Sequence, residues 1–551
     1  MAATERHTSA PAASSEAGQV SHPSNGTAAA TSQQQHSVVV PAAEAPTPNP
    51  GWRGSRRMVI FVLTLSFFSD AFMWGVPLSV LPFSLTERVH VKPEDVQRIV
   101  SQALSIFSAA GVIACPILGI VADRYGSRKV PFIVGLVCLL AATVLLATAT
   151  SVAQVMIARL LQGLSAASVW VAGLAMLQDA VGGNELGSAL GTCFAWVTLG
   201  ELISPPLGGI IYEKLGYWPV WNVCSILIIF DLIARLLLRE PKVPKYGAIK
   251  YEQPATYGSI LDGDQARSVQ RISQNGSHSE TQPLLPHTNG VDVQQPYVPV
   301  PDTWFERIWP IAKLHKTARF NAALANGFAQ AFVVSAIEST MPLHVHRLFG
   351  FDSLTAGLLF LPLVLPGVIL GPILGRIADR HGGRYVVLRG FLFLAPGLAF
   401  FRVPGSKWFD DLFPASWTER PIYNTFPYLS PSVALFSVLL LVAGLGYPAI
   451  SSPSLLESSQ AVEDYQIEHG EDAFGPNGPW ASMYAVSNIV FFAGLTVGPI
   501  CGSLVDVIGF GNMSLILALF CVVMSFNCML FLPKVRPTPT PRSRQGTFAS
   551  H

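Results

Sequence analysis

Pro116-Ile-Leu-Gly-Ile-Val-Ala-Asp-Arg-Tyr-Gly-Ser-Arg128 is written twice in this chain, returning as Pro372-Ile-Leu-Gly-Arg-Ile-Ala-Asp-Arg-His-Gly-Gly-Arg384. The copies lie 256 positions apart and share nine of thirteen residues. Each closes a long apolar run and sets Asp, Arg, Gly and Arg where that run would leave a hydrocarbon layer. A unit repeated at this distance decides architecture before local propensity does. It predicts two equivalent halves, both embedded in a membrane.

Working outward, the composition agrees. Half of the 551 residues are hydrophobic and 13% are charged, against roughly 25% in an average soluble domain. The formal net charge of +1 points to no nucleic acid or acidic partner. The seven cysteines (115, 138, 193, 224, 501, 521 and 528) sit inside apolar runs without metal-ligand or paired spacing, and read as small buried side chains. No cofactor is expected. Twelve apolar segments, each near the ~20 residues needed to cross ~30 Å of hydrocarbon, fall at about 58–81, 98–122, 130–149, 152–176, 187–211, 218–239, 318–345, 353–377, 385–402, 431–455, 481–506 and 510–532. The expected fold class is an all-α membrane protein, with twelve transmembrane helices in two six-helix bundles.

The chain then divides into a disordered tail (1–56), an N-terminal bundle (57–239), a flexible linker (240–316), a C-terminal bundle (317–534) and a second tail (535–551). The tails and linker are too poor in apolar side chains to offset the cost of ordering. With the amino terminus in the cytosol, the basic stretches around Arg53–Arg57, Arg124–Lys129, Arg239–Lys245, Lys313–Arg319, Arg380–Arg384 and Lys534–Arg544 all fall inside, as the positive-inside rule expects. An acidic loop, Glu457–Asp472, is the exception. Both termini are therefore expected in the cytosol, with no cleaved signal peptide. In the linker, Glu280-Thr-Gln-Pro-Leu284-Leu285 has the form of a dileucine sorting signal, and equally that of a chance match. Asn25 and Asn275 fit the glycosylation pattern but lie on the wrong side of the membrane.

Ionisable residues inside apolar runs are functional candidates, because a charge in hydrocarbon costs several kcal/mol unless paired, wet or neutralised. Asp70 lies about 18 Å along its helix, near mid-membrane. There it reads as a counter-ion able to exchange a proton for a cation, or more simply as a carboxylate bonded to a neighbouring helix. Glu338 is its partner across the halves, or a carboxylate in a wet vestibule. Asp231 with Arg235 four residues on reads first as an internal ion pair and second as a proton relay. Arg159 cannot shed its charge and must find a carboxylate or water.

The repeated loop has its own mechanics. Asp123 and Asp379 end their helices close to Arg128 and Arg384, and a carboxylate set against the N-terminus of a helix is favoured by its free amides and dipole. Such contacts would latch one side of the molecule. Gly126 and Gly382 permit the tight turn, and Arg124 and Arg380 either belong to the same latch or serve only as topology signals. A further echo, Ser204-Pro-Pro-Leu-Gly-Gly against Val497-Gly-Pro-Ile-Cys-Gly, puts proline and glycine inside spanning helices, where bending is eased.

These motifs together resemble the major facilitator superfamily: the loop motif of helix 2, the arginine motif Arg159-Leu-Leu-Gln-Gly163, and an antiporter motif from Gly200 through Pro205, Pro206, Gly208 and Gly209. A closer resemblance is to drug:proton antiporters and the vesicular amine transporter-like group. It rests on Ser69-Asp70-Ala-Phe-Met-Trp-Gly-Val-Pro77, Ile337-Glu-Ser-Thr-Met-Pro342 and Met483-Tyr-Ala-Val-Ser-Asn-Ile-Val-Phe491. The resemblance implies the major facilitator fold and a role for Arg159 in proton transfer and gating. It breaks at Asn488, where the amine transporters carry an aspartate, at Gly444–Pro448 on helix 10, near Phe107, and at Ser204. Tyr484, one turn from Asn488, keeps a hydroxyl that could hold a polar solute or simply pack.

The expectation is thus a monomeric, multi-pass secondary transporter exchanging protons for a small organic, cationic or amphipathic solute, in the plasma membrane or a vacuolar or vesicular membrane. Two alternatives stay open: an uncoupled facilitator or symporter of the same fold, and a transport-inactive sensor. No phosphate-binding loop and no grouped nucleophile and base suggest an enzyme.

Overall fold

The computed structural model describes residues 52–238, 303–351, 358–412, 430–475, 477–502 and 505–534. Residues 1–51 and 535–551 of the expected tails, most of the linker, the dileucine, Asn25 and Asn275 lie outside the described residues. Among the described residues twelve helices are long and apolar enough to span a membrane, and no strand occurs. In chain order they are α1 (Arg56–Glu87), α2 (Pro93–Tyr125), α3 (Lys129–Ala147), α4 (Val152–Val181), α5 (Leu186–Leu215), α6 (Tyr217–Leu237), α7 (Ala318–Phe349), α8 (Leu361–His381), α9 (Gly383–Ala399), α10 (Pro431–Gly446 and Pro448–His469, joined at Tyr447), α11 (Trp480–Gly502) and α12 (Phe510–Phe531).

Local chemistry sets several boundaries. The hydroxyls of Ser55 and Ser151 accept the N–H groups of Met58 and Gln154 and so cap α1 and α4. Gly126 ends α2 at φ 64° and Gly382 ends α8 at φ 83°, a left-handed turn that glycine adopts without steric cost.

In the first half α1 packs on α5 and α4, α2 on α4, and α3 on α4 and α6. In the second, α7 packs on α11, α10 and α12, and α9 on α12 and α10. The halves meet where α2 and α4 touch α11 and where α5 touches α8 and the lower part of α10. Glycines let α5 and α8 come backbone to backbone. A Cβ on Gly191 would stand 2.2 Å from the carbonyl oxygen of Gly371, and one on Gly375 2.0 Å from that of Gly187. The face where α1 begins and α12 ends is called the terminal face below.

Two expectations change. The acidic loop Glu457–Asp472 is mostly helix, since α10 runs on to His469. Its Glu457 is buried and takes hydrogen bonds from Arg319 Nε (2.8 Å) and Nη2 (2.6 Å) and from the Gly383 N–H (2.8 Å), while Asp464 pairs with the same arginine. Glu457 thus answers both a cation and the start of α9, and Asp464 the same cation. The last part of the expected linker is also ordered: Trp304–Ile308 is a helix with a Thr303–Glu306 capping box, followed by a 3-10 turn over Pro310–Lys316. Thr303 holds the Glu306 carboxyl below its usual range through backbone and side-chain hydrogen bonds.

Candidate transport site

Midway along the helices, a cavity of about 50 Å³ lies between the halves, walled by Trp170 and Glu201 on one side and by Tyr447, Ser452 and Phe491 on the other. That is room for a few waters. Asp70 stands just behind this wall. It is 9% exposed, and its Oδ2 accepts a 2.8 Å hydrogen bond from Trp170 Nε1. The Trp170 ring is itself clasped by Phe67 (4.8 Å between centroids) and Phe194 (5.7 Å). A fully buried Asp231 lies in electrostatic reach of Asp70, and accepts a 2.6 Å bond from the Ser66 hydroxyl. Arg235 sits over the Phe132 ring at 5.1 Å and within electrostatic reach of Asp231. The first half therefore keeps two carboxylates in its own core.

Glu338 is exposed, yet it acts electrostatically on Glu201 and Tyr447. It is not among the residues that wall the cavity. Arg159 is 1% exposed, and among the described residues no carboxylate pairs with it. Its Nη1 donates to Gln162 Oε1 at 2.9 Å, and its Nε has no partner.

Below the cavity the passage toward the terminal face is shut. Gln178 Oε1 accepts from the Tyr484 and Ser459 hydroxyls, both at 3.0 Å, joining α4 to α11 and α10. Tyr484 is thus spent on this seal. Asn488 donates to the Tyr484 carbonyl at 2.9 Å, one turn back in its own helix. Neither side chain lines the cavity.

At the terminal face itself both copies of the repeated loop reach across the molecule. Asp123 accepts the N–H groups of Ala481 (3.0 Å) and Ser482 (2.8 Å) at the start of α11. Asp379 accepts those of Gly187 and Ser188 at the start of α5, both at 2.7 Å. Each carboxylate answers two backbone donors that a helix end leaves free, at roughly 1.5–3 kcal/mol per charged bond. The arginines differ between the copies. Arg128 bridges Asp123 (2.9 Å) and Asp179 (3.3 Å). Burial alone would push its pKa down, but the two carboxylates more than reverse this and hold it above the ordinary arginine value. Arg384, expected near Asp379, instead donates to the carbonyls of Leu532 (2.9 Å) and Met529 (2.8 Å) at the end of α12. Arg124 and Arg380 are exposed.

The proline-glycine helix α5 faces α1. Gly200 lies against the Phe68 carbonyl, where a Cβ would approach to 2.8 Å, whereas Gly209 has nothing within 4 Å. Pro205 and Pro206 lie within the helix, and Gly208 is buried there. The sequence reading passed over Glu201. It obeys the same rule that singles out Asp70, an acid inside an apolar run, but stands in a stretch read for its backbone.

Twelve spanning helices in two halves, closed on one face around a mid-membrane cavity, describe a membrane transporter. The family model of the Major Facilitator Superfamily matches residues 63–466, and the chain belongs to that superfamily. It is 32% identical over 474 residues to an uncharacterised MFS-type transporter of Schizosaccharomyces pombe (85% of this chain, 95% of the relative). It is 31% identical to the MFS-type transporter ppzB of Metarhizium majus (85% and 98%). A shorter match, 37% identical over 127 residues, covers 23% of this chain and 24% of the vesicular acetylcholine transporter of Homo sapiens. The human organic anion transporter MFSD10 (TETRAN) shares the fold, with a TM-score of 0.56 at 17% identity over 86% of this chain and 99% of that one. The family and these relatives are transporters, not enzymes.

Proposed function

We propose that the protein is a proton-coupled antiporter that moves a small organic cation, or a cationic amphiphile, by alternating access. The terminal face and both chain ends lie in the cytosol, and the membrane is plasma, vacuolar or vesicular. The observation that carries this reading is Asp70. It is a carboxyl held out of water in mid-membrane, in contact through one indole N–H with the ring that walls the cavity. Such a group costs several kcal/mol to charge without a counter-ion, so it releases its proton most readily when positive charge occupies the cavity. A proton and a cationic solute then exclude one another. One proton per cation converts each pH unit, ~1.4 kcal/mol, into about tenfold accumulation. The match to vesicular acetylcholine transporters supports a cationic solute.

Sealed vesicles holding the protein, a panel of organic cations and an imposed pH gradient test this. Uptake should collapse when the gradient is dissipated, and Asp70→Asn should lower gradient-driven uptake about tenfold or more. Unchanged flux in that variant would remove Asp70 from the mechanism. A second reading, an uncoupled facilitator, is favoured by Arg159, which pairs with no described carboxylate, and by Asn488 in place of an acid. It predicts flux indifferent to the gradient.

A further inference from the structure

At the terminal face a second pocket, of about 260 Å³, lies between the end of α2, the ordered end of the linker and the chain that leads into α11. Its lining is apolar at Ile120, Ile308, Ile311 and Phe474, and it carries two guanidinium groups, those of Arg124 and Arg307. Both arginines are exposed, and among the described residues neither guanidinium is paired with an acid. Asp123 also borders the pocket, but it is spent on Arg128 and on the N–H groups of Ala481 and Ser482. The walls are pinned to one another. Lys313 Nζ donates to the Ala473 carbonyl at 3.0 Å, and Asn477 Nδ2 to the Asp123 carbonyl at 2.9 Å. With 33 residues, α2 is ~50 Å long, well beyond ~30 Å of hydrocarbon, so its charged last turn clears the lipid chains. Tyr125 beside Arg124, and Trp304 and Phe305 near Arg307, hold exposed rings around this pocket, as side chains at a membrane–water boundary do.

We infer that this pocket binds the phosphate headgroup of an anionic membrane lipid, with Arg124 and Arg307 on the phosphate and the apolar lining against the glycerol and the first carbons of the chains. Guanidinium meets phosphate through paired, charge-assisted hydrogen bonds, and basic pockets between spanning helices are suited to such headgroups. A bare phosphate would leave the apolar lining uncovered. A neutral lipid would leave two cations uncompensated. Arg124 belongs to the first half, and Arg307 to the segment that leads into α7 of the second. A phosphate held by both ties the halves at the terminal face, beside the Asp123 latch, and so favours the closed form. The site lies apart from the central cavity, and it depends on neither proton coupling nor a cationic solute.

Thermophoresis of the full-length protein in neutral detergent tests this with dioctanoyl phosphatidic acid, dioctanoyl phosphatidylcholine and inorganic phosphate. The first should bind saturably, and the other two about tenfold more weakly or less. Arg124→Gln and Arg307→Gln should each weaken phosphatidic acid binding about tenfold or more. Arg380→Gln, the counterpart of Arg124 in the second copy of the loop and outside this pocket, should leave it unchanged. Thermal unfolding without lipid verifies that each variant is folded. Inorganic phosphate that binds as tightly as phosphatidic acid overturns the lipid assignment. An equal loss in Arg380→Gln overturns the pocket, as do full binding in the Arg124 and Arg307 variants and a folded wild type that binds nothing. Spin labels across α2 and α11 read the tie between the halves. The closed fraction should be larger in vesicles of mixed phosphatidylcholine and phosphatidic acid than in phosphatidylcholine alone, and the difference should vanish in Arg307→Gln. Equal fractions in the two kinds of vesicle would overturn the tie.

Discussion

Ser204 breaks the glycine pattern of the motif around it, and the reason stands opposite, on α1. A Cβ on Gly75 would lie 1.9 Å from Ser204 Oγ, so the hydroxymethyl of Ser204 fills the space that the α1 glycine leaves open. Gly75→Ala should therefore destabilise the first half by about 1–3 kcal/mol, the usual cost of overpacking a close-packed site. Ser204→Gly in the same chain should recover most of that loss. Thermal unfolding of the four proteins of this cycle measures it, and simple additivity of the two changes would contradict the contact. At this scale the sequence was legible where cost alone decides: acids inside apolar runs, and aspartates placed to meet helix ends. It was not legible where an orientation decides. Nothing in the spelling of α4 says that Arg159 turns to Gln162 rather than to an acid, or that Tyr484 turns to Gln178 rather than to the cavity.

Among the helices, α10 shows why hydropathy reads some spans and misses others. Its upper segment is a run of Val, Leu and Ala, and the expected span 431–455 covers it and the first two turns of the lower segment but not the rest. The lower segment carries Ser451, Ser452, Ser454, Glu457, Ser458 and Ser459, and is nevertheless buried, because it packs on α5, α7 and α9 rather than on lipid. Hydropathy measures fitness for lipid contact, so a helix wrapped in protein escapes it. The crossing of α5 and α8 offers the complementary test. Gly191→Ala places a methyl 2.2 Å from a backbone carbonyl of the other half, which only a separation of the helices relieves. Gly209→Ala on the same helix meets nothing within 4 Å. Spin labels on the terminal ends of α5 and α8 should report a longer mean distance in Gly191→Ala and an unchanged one in Gly209→Ala. Equal behaviour of the two variants would show that backbone contact does not hold this crossing.

For the molecule as a whole, the two latches ask whether the halves move as bodies or flex helix by helix. Asp123 ties α2 to α11 and Asp379 ties α8 to α5, at the two ends of one interface. If each half is rigid, both latches act on a single equilibrium, and the free energies lost on removing them add. Asp123→Asn and Asp379→Asn each remove a charge from a pair of helix-end amides, at about 1–2 kcal/mol. Either variant should then raise the open fraction at the terminal face about fivefold to thirtyfold, and the double variant by the product of the two. The decisive reading is remote. A label pair across α5 and α8 should respond to Asp123→Asn as fully as a pair across α2 and α11, although the first pair keeps its own latch. A response confined to the mutated side would mean local fraying of one seam, with the other half left in place rather than moving as a body.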